Sequence, residues 1–240
     1  MPRREHRKRN KKDEIEILAG RLFKYGPLKR SNKDLVCYLP PGDKGGQSEL
    51  LLSGPGAEWD SDNDKCRDTK LCNLVLQHTG FTVGACFYEV YGLGSLDKDG
   101  VRKPMNWIGD LYKYAKRMKY ERLHLVGYSG GAMLASSQLV FHPPPANCPT
   151  VKTLVLIAAY VADGLDKAHR NAAFFADRVK AKTRLIWGTN DKAARLGAEE
   201  WRKRNPAADS QPYTGGHNFY DDGQFDKVSG MAIGWIKEGS

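Results

Sequence analysis

The feature that most constrains the fold of this chain is a glycine-rich turn around one serine. The apolar run that begins at Arg122 predicts a strand, which breaks into glycines from about Val126, and residues 132–141 predict a helix. Between them, Gly127-Tyr128-Ser129-Gly130-Gly131 fits the pattern Gly-x-Ser-x-Gly. Glycines flank the serine in such a strained turn because side chains there would clash with the neighbouring strand and helix, and the turn exposes the hydroxyl. The pattern predicts Ser129 as a nucleophile, and an ordinary glycine-rich strand-to-helix turn is the alternative.

The length and composition suit one α/β domain. The chain has 240 residues, 40% of them hydrophobic, which is enough for a single core. No apolar run approaches the roughly 18 residues of a membrane span, so we expect no membrane partner. The charged N-terminus lacks the apolar stretch of a signal peptide, so a cytoplasmic location is expected.

The basic charge is concentrated at the N-terminus. Residues 1–12 hold seven Arg or Lys against one Glu, which accounts for +6 of the formal net charge of +10. We expect residues 1–13 to form a disordered basic arm and residues 14–240 a single domain. A nuclear-localisation or polyanion-binding segment would have the same composition as this arm, but nucleic acid is not expected as a partner of the domain.

Neither a metal site nor a cofactor site is predicted. The five cysteines show no paired metal-ligand spacing, and Cys66 and Cys72 fall on nearly opposite faces of a predicted helix, so reduced thiols are expected. Gly92-Leu93-Gly94 lacks the third glycine of a dinucleotide loop, because Asp97 stands there, and the Ser129 turn lacks the lysine of a phosphate loop.

Alternating strand and helix patterns follow the basic arm. This alternation predicts a mainly parallel sheet covered by helices on both faces, with the first two strands forming a hairpin. In addition to the strand that begins at Arg122, the predicted strands are 14–19, 34–39, 49–52, 81–87, 151–159 and 183–187; the predicted helices are 62–79, 107–118, 132–141 and 225–236.

Two further polar residues follow predicted strands in a way that places them near Ser129. Loops at the carboxyl ends of parallel strands meet at one crevice of the sheet. Gly188-Thr189-Asn190-Asp191 follows one strand, and Gly215-Gly216-His217 precedes the last helix. A serine needs a base to take its proton, and a carboxylate on the other ring nitrogen orients a histidine base. Asp191 and His217 supply these groups, with Asp163 as the rival acid.

With these three motifs in the order Ser, Asp, His, the chain resembles the α/β-hydrolase superfamily from its first strands to its last helix. The resemblance implies Ser129 as nucleophile, Asp191 as orienting acid and His217 as general base. It also implies a predominantly parallel sheet whose early strands lie around an antiparallel edge. Small, cap-poor carboxylesterases and thioesterases are the members that it suggests.

The resemblance also implies two backbone N–H donors for the oxyanion formed on the substrate. Gly130, the residue after the nucleophile, supplies the first. Pro55 stands at the usual second position and has no N–H, so the donor is expected to shift to Gly56 or Ala57.

The expected substrate is a small acyl or aryl ester or thioester. Only 62 residues separate Ser129 from Asp191, which leaves room for at most a short helical lid within residues 163–179. A lyase, cyclase or acyltransferase that uses the same residues is the alternative, and a non-catalytic binding protein is a further one. The residues expected to line the pocket are Trp59, Tyr91, Leu93, Leu96 and Tyr128.

Overall fold

In a computed structural model, the described residues form a sheet of nine strands with helices on both faces. No helix among the described residues is long and apolar enough to span a membrane. The structure describes residues 15–17, 20–25, 35–39, 49–54, 82–86, 112, 115–116, 119–162, 171–220 and 222–239.

The sheet is parallel except at one edge. Its strand order is β1-β2-β3-β5-β4-β6-β7-β8-β9. Strands β4 to β9 all run parallel to one another, whereas the pairs β1–β2, β2–β3 and β3–β5 are antiparallel. This confirms the predicted mainly parallel sheet with an antiparallel edge. The strands are β1 (Ile15–Ile17), β2 (Gly20–Tyr25), β3 (Leu35–Leu39), β4 (Glu49–Gly54), β5 (Thr82–Cys86), β6 (Arg122–Tyr128), β7 (Thr150–Ile157), β8 (Lys182–Gly188) and β9 (Asp209–Tyr213).

The predicted hairpin between residues 14–19 and 34–39 is wrong. An unpredicted strand, β2, lies between them and pairs with both β1 and β3. Its sequence, Gly-Arg-Leu-Phe-Lys-Tyr, is a short and mixed pattern that resembles a turn-rich connection more than a strand. A second correction concerns β7, which ends at Ile157 rather than residue 159 because Ala158 takes a φ of 49° and leaves the sheet.

The described helices are α1 (Gly130–Phe141), α2 (Lys192–Arg204) and α3 (Phe225–Gly239), with a 3₁₀ helix at Ala172–Arg178. Helix α1 stops just before three prolines, as the sequence predicts. The predicted helix 62–79 lies outside the described residues. Of 107–118, the described positions Tyr112, Ala115 and Lys116 are helical.

Alternate side chains of the central strands fill two separate cores. Leu154 and Leu156 of β7 pack under α1, α2 and the 3₁₀ helix, whereas Val155 and Ile157 pack under α3. Successive strand residues point to opposite faces, so a strand buried on both sides must be apolar at nearly every position. The sheet is therefore covered on both faces, as predicted.

The end of the region predicted as a lid belongs to the core instead. Ala172, Ala173 and Ala176 are fully buried, and the Phe175 ring packs edge-on against Phe141 of α1 with ring centroids 5.5 Å apart. The small alanine side chains let this 3₁₀ helix pack closely against its neighbours. Such close packing is typical of a core element and not of a mobile lid. Residues 163–170 of the predicted lid lie outside the described residues.

Strands β8 and β9 are tied to α3 by one arginine. Arg184 donates from Nε to Asp209 at 2.7 Å and from Nη1 to the Met231 carbonyl at 2.9 Å, and its guanidinium lies 4.2 Å from the Trp235 ring centroid. The buried charge is thus paired and hydrogen bonded, which burial of a charge requires. These contacts hold the beginnings of β8 and β9 against α3.

Substitution Gly127→Ala should destabilise the fold. A Cβ at Gly127 would lie 2.5 Å from the N and Cα of Ala132, because α1 starts directly over the end of β6. Overpacking against backbone costs about 1–3 kcal/mol, measurable as the free energy of unfolding in urea.

Gly230→Ala is the matched control. Gly230 is exposed in α3 with nothing within 4 Å of its added Cβ, so alanine should stabilise by roughly 0.5–1 kcal/mol. A Gly127→Ala protein as stable as the wild type would contradict this account of the turn.

Candidate active site

Ser129 occupies a sharp turn between β6 and α1. Its φ of 49° and ψ of −114° lie outside the regions that non-glycine residues prefer. The turn is held at both ends, because the Ser129 N–H donates to the Ile157 carbonyl of β7 at 2.9 Å and its carbonyl accepts from Met133 at 3.1 Å. Such strain persists only where the surrounding structure fixes it, and it presents the side chain at the carboxyl edge of the sheet.

Asp191 lies at the N-terminus of α2, after the end of β8. The side chain caps this helix, with Oδ1 accepting from the Ala194 N–H at 3.2 Å. Its own N–H donates to the Gly188 carbonyl at 2.8 Å, which closes a tight turn. Only 4% of the side chain is exposed, so its other oxygen also needs a donor.

His217 lies in the loop after β9, and this loop is braced by hydrogen bonds. The His217 carbonyl accepts from the hydroxyls of Tyr213 at 3.3 Å and Tyr128 at 3.4 Å. The Asp222 carboxylate accepts from the Gly216 N–H, and the Gly215 carbonyl accepts from the Asn190 N–H at 2.8 Å. These bonds fix the backbone from which the imidazole projects.

Two glycines make this close approach of loops feasible. A Cβ at Gly188 would collide with the Gly216 carbonyl oxygen, so only glycine lets the end of β8 lie against the histidine loop. Gly215 has a φ of 144°, which only glycine adopts readily, and a Cβ there would press on Asp222.

The three side chains form one hydrogen-bonded chain. His217 Nε2 lies 2.9 Å from Ser129 Oγ, and His217 Nδ1 lies 2.7 Å from Asp191 Oδ2. The structure therefore brings together the three residues singled out in the sequence. In this arrangement the imidazole can take a proton from the hydroxyl while the carboxylate fixes its tautomer.

Hydrogen bonds to the Asp191 carboxylate keep it ionised at neutral pH. Burial would raise its pKa, but hydrogen bonds from His217, the Ala194 amide and the Tyr160 hydroxyl hold the pKa below its usual value of 3.8. A lowered folded-state pKa stabilises the fold fully above the unfolded-state value, and this stabilisation is lost as the pH falls through the folded-state pKa. Burial, with Asp191 nearby, raises the pKa of the Tyr213 phenol, which therefore remains a donor at neutral pH.

Aromatic rings surround the imidazole. The Tyr160 ring centroid lies 4.7 Å from that of His217, and the Tyr128 centroid lies 5.8 Å from it. Tyr128 also packs edge-on against Phe219 at 5.2 Å. Tyr128, expected as a pocket residue, thus contacts both the imidazole and the backbone of the histidine loop.

The remaining predicted site residues divide into two groups. Gly130 is buried and is the first residue of α1, where the N–H has no partner within the helix. The others lie outside the described residues: the oxyanion candidates Gly56 and Ala57, the pocket candidates Trp59, Tyr91, Leu93 and Leu96, and the rival acid Asp163.

Two other histidines are placed away from this chain of hydrogen bonds. His124 is buried inside β6, bonds through Nδ1 to Thr153 at 2.8 Å, and has its pKa lowered to about 4 by burial and by the nearby Arg122 and Lys152 charges. His142 is exposed after the end of α1. Within the described part of the chain, no cluster of three or more His, Cys, Asp or Glu could hold a metal.

Sequence reasoning missed Tyr160, Tyr213 and Asp222. Tyr160 lies just past the carboxyl end of a predicted strand, a position from which side chains reach the crevice, and this signal could have identified it. Tyr213 ends a strand, β9, that was not predicted. Asp222 contacts its own loop across six residues, and no sequence pattern indicates such a contact.

Substitution Asp222→Ala should loosen the histidine loop without unfolding the protein. It removes the acceptor of the Gly216 N–H. Hydrogen exchange of residues 214–217, followed by mass spectrometry, should become about tenfold faster, as expected for loss of a hydrogen bond to a charged group.

The control for this change is Asp226→Ala, which removes another exposed carboxylate from the first turn of α3. Its effect on exchange of residues 214–217 should be negligible. Equal exchange rates in Asp222→Ala and wild type would mean that the carboxylate does not brace the loop.

Solved structures of esterases are similar to this chain over most of its length. Esterase 2 of Thermogutta terrifontis phosphorylated by paraoxon has a TM-score of 0.66 and 18% identity, covering 93% of this chain and 95% of that one. Carboxyl esterase 2 of the fungus Tuber melanosporum has a TM-score of 0.65 and 13% identity, covering 95% and 90%. The Pyrobaculum calidifontis esterase has a TM-score of 0.63 and 13% identity, covering 86% and 81%.

The sequence itself matches no protein-family model and has no significant match among curated proteins. The likeness is therefore one of structure. At 13–18% identity it is a likeness of fold. This chain has the α/β-hydrolase fold.

Proposed function

We propose that the protein is a serine hydrolase that cleaves a carboxylic ester or thioester through an acyl-enzyme. The observation that carries this proposal is the hydrogen-bonded chain from Asp191 through His217 to Ser129, with distances of 2.7 and 2.9 Å. The esterase activity of the structurally similar proteins is consistent with it.

In the first half-reaction Ser129 Oγ attacks the substrate carbonyl carbon while His217 Nε2 takes the hydroxyl proton. The Asp191 carboxylate accepts the Nδ1–H and stabilises the imidazolium. The tetrahedral intermediate collapses when the bond to the leaving oxygen or sulfur breaks, and the imidazolium protonates that group. The acyl group is then bonded to Ser129.

In the second half-reaction water releases the acyl group. His217 Nε2 takes a proton from water as the water oxygen attacks the acyl carbon. The bond from the acyl carbon to Ser129 Oγ then breaks, and the imidazolium returns its proton to Oγ. The products are a carboxylic acid and the free enzyme. Over the whole cycle, one ester or thioester and one water give one carboxylic acid and one alcohol or thiol, with no other reactant.

The negative oxygen of each tetrahedral intermediate needs N–H donors. Gly130 begins α1, so its N–H is a helix-terminal donor beside the nucleophile, where the helix dipole also favours negative charge. Gly56 or Ala57 is proposed as the second donor, since Pro55 lacks an N–H. A transfer of the acyl group to an acceptor other than water would use the same residues and the same acyl-enzyme.

The test is hydrolysis of a panel of p-nitrophenyl acyl esters and acyl thioesters of graded chain length. Wild type should turn over at least one member, and Ser129→Ala and His217→Ala should lower kcat by on the order of 10⁴-fold or more. The chain-length preference would also report the depth of the pocket.

His142→Ala is the matched histidine control, because His142 is exposed after α1 and touches none of the three residues. It should keep wild-type kcat. Undiminished turnover in folded Ser129→Ala would contradict the proposed role of the serine. Retained acyl-enzyme formation with transfer to an added alcohol or amine, but without hydrolysis, would favour the acyltransferase alternative.

A further inference from the structure

Tyr160 contacts both Asp191 and His217, the two residues that are hydrogen bonded in series to Ser129. Its hydroxyl hydrogen-bonds the Asp191 carboxylate, and its ring lies against the His217 imidazole with centroids 4.7 Å apart and an interplanar angle of 37°. The residue comes from the segment after β7, a different element from those that carry Asp191 and His217. A single side chain thus links two separate loops of the site.

The backbone around Tyr160 is fixed on one side by the sheet. Ala158 takes a φ of 49°, and its N–H donates to the Ile186 carbonyl of β8 at 2.8 Å. A non-glycine residue in this region is strained and persists only where its surroundings hold it. This bend turns the chain out of the sheet so that Tyr160 is carried toward the histidine.

The other side of the segment is fixed by α2. A Cβ at Gly197 would lie 3.0 Å from the Ala159 carbonyl oxygen and 3.1 Å from Val161 Cγ2, so the segment packs directly on the helix backbone. Val161 is fully buried, and its carbonyl accepts from the Ala173 N–H at 3.0 Å. Tyr160 therefore projects from a backbone with little freedom to move.

We propose that Tyr160 is a positioning residue that aligns Asp191 and His217 toward Ser129. The inference rests on the proposed function. The hydroxyl holds the carboxylate against rotation about its side-chain bonds, while the ring restricts the plane of the imidazole. A small misalignment of reacting groups costs a large part of their rate advantage, so a side chain that fixes both partners acts on kcat more than on KM.

Tyr128 and Tyr213, which also lie near His217, contact the backbone of its loop. Tyr128 and Tyr213 donate to the His217 backbone carbonyl, and Tyr213 also donates to the Gly216 carbonyl at 2.6 Å. They fix the loop, whereas Tyr160 contacts the imidazole and the carboxylate themselves.

The test compares Tyr160→Phe with Tyr160→Leu. Phenylalanine keeps the ring against His217 and removes only the hydroxyl, so kcat should fall about tenfold with KM changed less than about twofold. Leucine also removes the ring and should lower kcat further. Tyr220→Phe is the control, since its ring packs on Phe219 with centroids 4.2 Å apart, and it should keep wild-type kcat.

A second measurement does not depend on activity. The Asp191 carboxyl pKa, followed by ¹³C NMR, should be higher in Tyr160→Phe than in wild type, because one donor to the carboxylate is lost. Besides Tyr160, the titratable groups that the structure shows interacting with this carboxyl are His217 and Tyr213, and Tyr160→Phe leaves both in place.

The outcomes separate this inference from the proposed function. If wild type fails to cleave any ester, the proposed function fails, and the Asp191 pKa still decides whether Tyr160 acts on the carboxylate. An unchanged Asp191 pKa in folded Tyr160→Phe would overturn the inference. So would wild-type kcat in that variant, or a loss of thermal stability with no change in kcat, which is the result of a purely structural role.

Discussion

The site depends on the continuation of the parallel hydrogen-bond ladder past the ends of the strands. Ser129 donates to Ile157 of β7, Ala158 donates to Ile186 of β8, and Thr189 donates to Tyr213 of β9. Each residue that leaves one strand is thus bonded to the next strand of the sheet. The first residues of these loops are therefore held in place by the sheet. This allows hydrogen-bond distances of 2.7 and 2.9 Å between the side chains of Asp191, His217 and Ser129, which are far apart in sequence.

Where loops of the site lie close to a neighbouring backbone, the sequence has residues that fit without a clash. Gly127 and Gly188 stand where any side chain would strike a neighbouring backbone, and Gly215 adopts a conformation suited only to glycine. Ser129 and Ala158 hold a positive φ without being glycine. Ser129, Ala158 and Gly215 all lie at the carboxyl edge of the sheet, whereas the strands themselves pack apolar side chains on both faces.

The residues that sequence could identify are those with a local chemical signature. Ser129 lies between glycines after a strand, and Asp191 and His217 follow glycines in loops, so short patterns located all three. Tyr160 and Asp222 act through contacts that depend on how loops fold back, and residue order alone does not encode these contacts. Strand β2 was missed because its six residues mix apolar and polar positions and are followed directly by the turn-forming Gly26-Pro27.

The central claim is that Ser129 is a nucleophile activated by His217, and a fluorophosphonate probe tests it most directly. Intact mass and peptide mapping of the folded protein should show one adduct per chain, located on Ser129, and His217→Ala should slow its formation by on the order of 100-fold. A folded wild-type protein that forms no adduct, or forms it on another residue, would contradict the account.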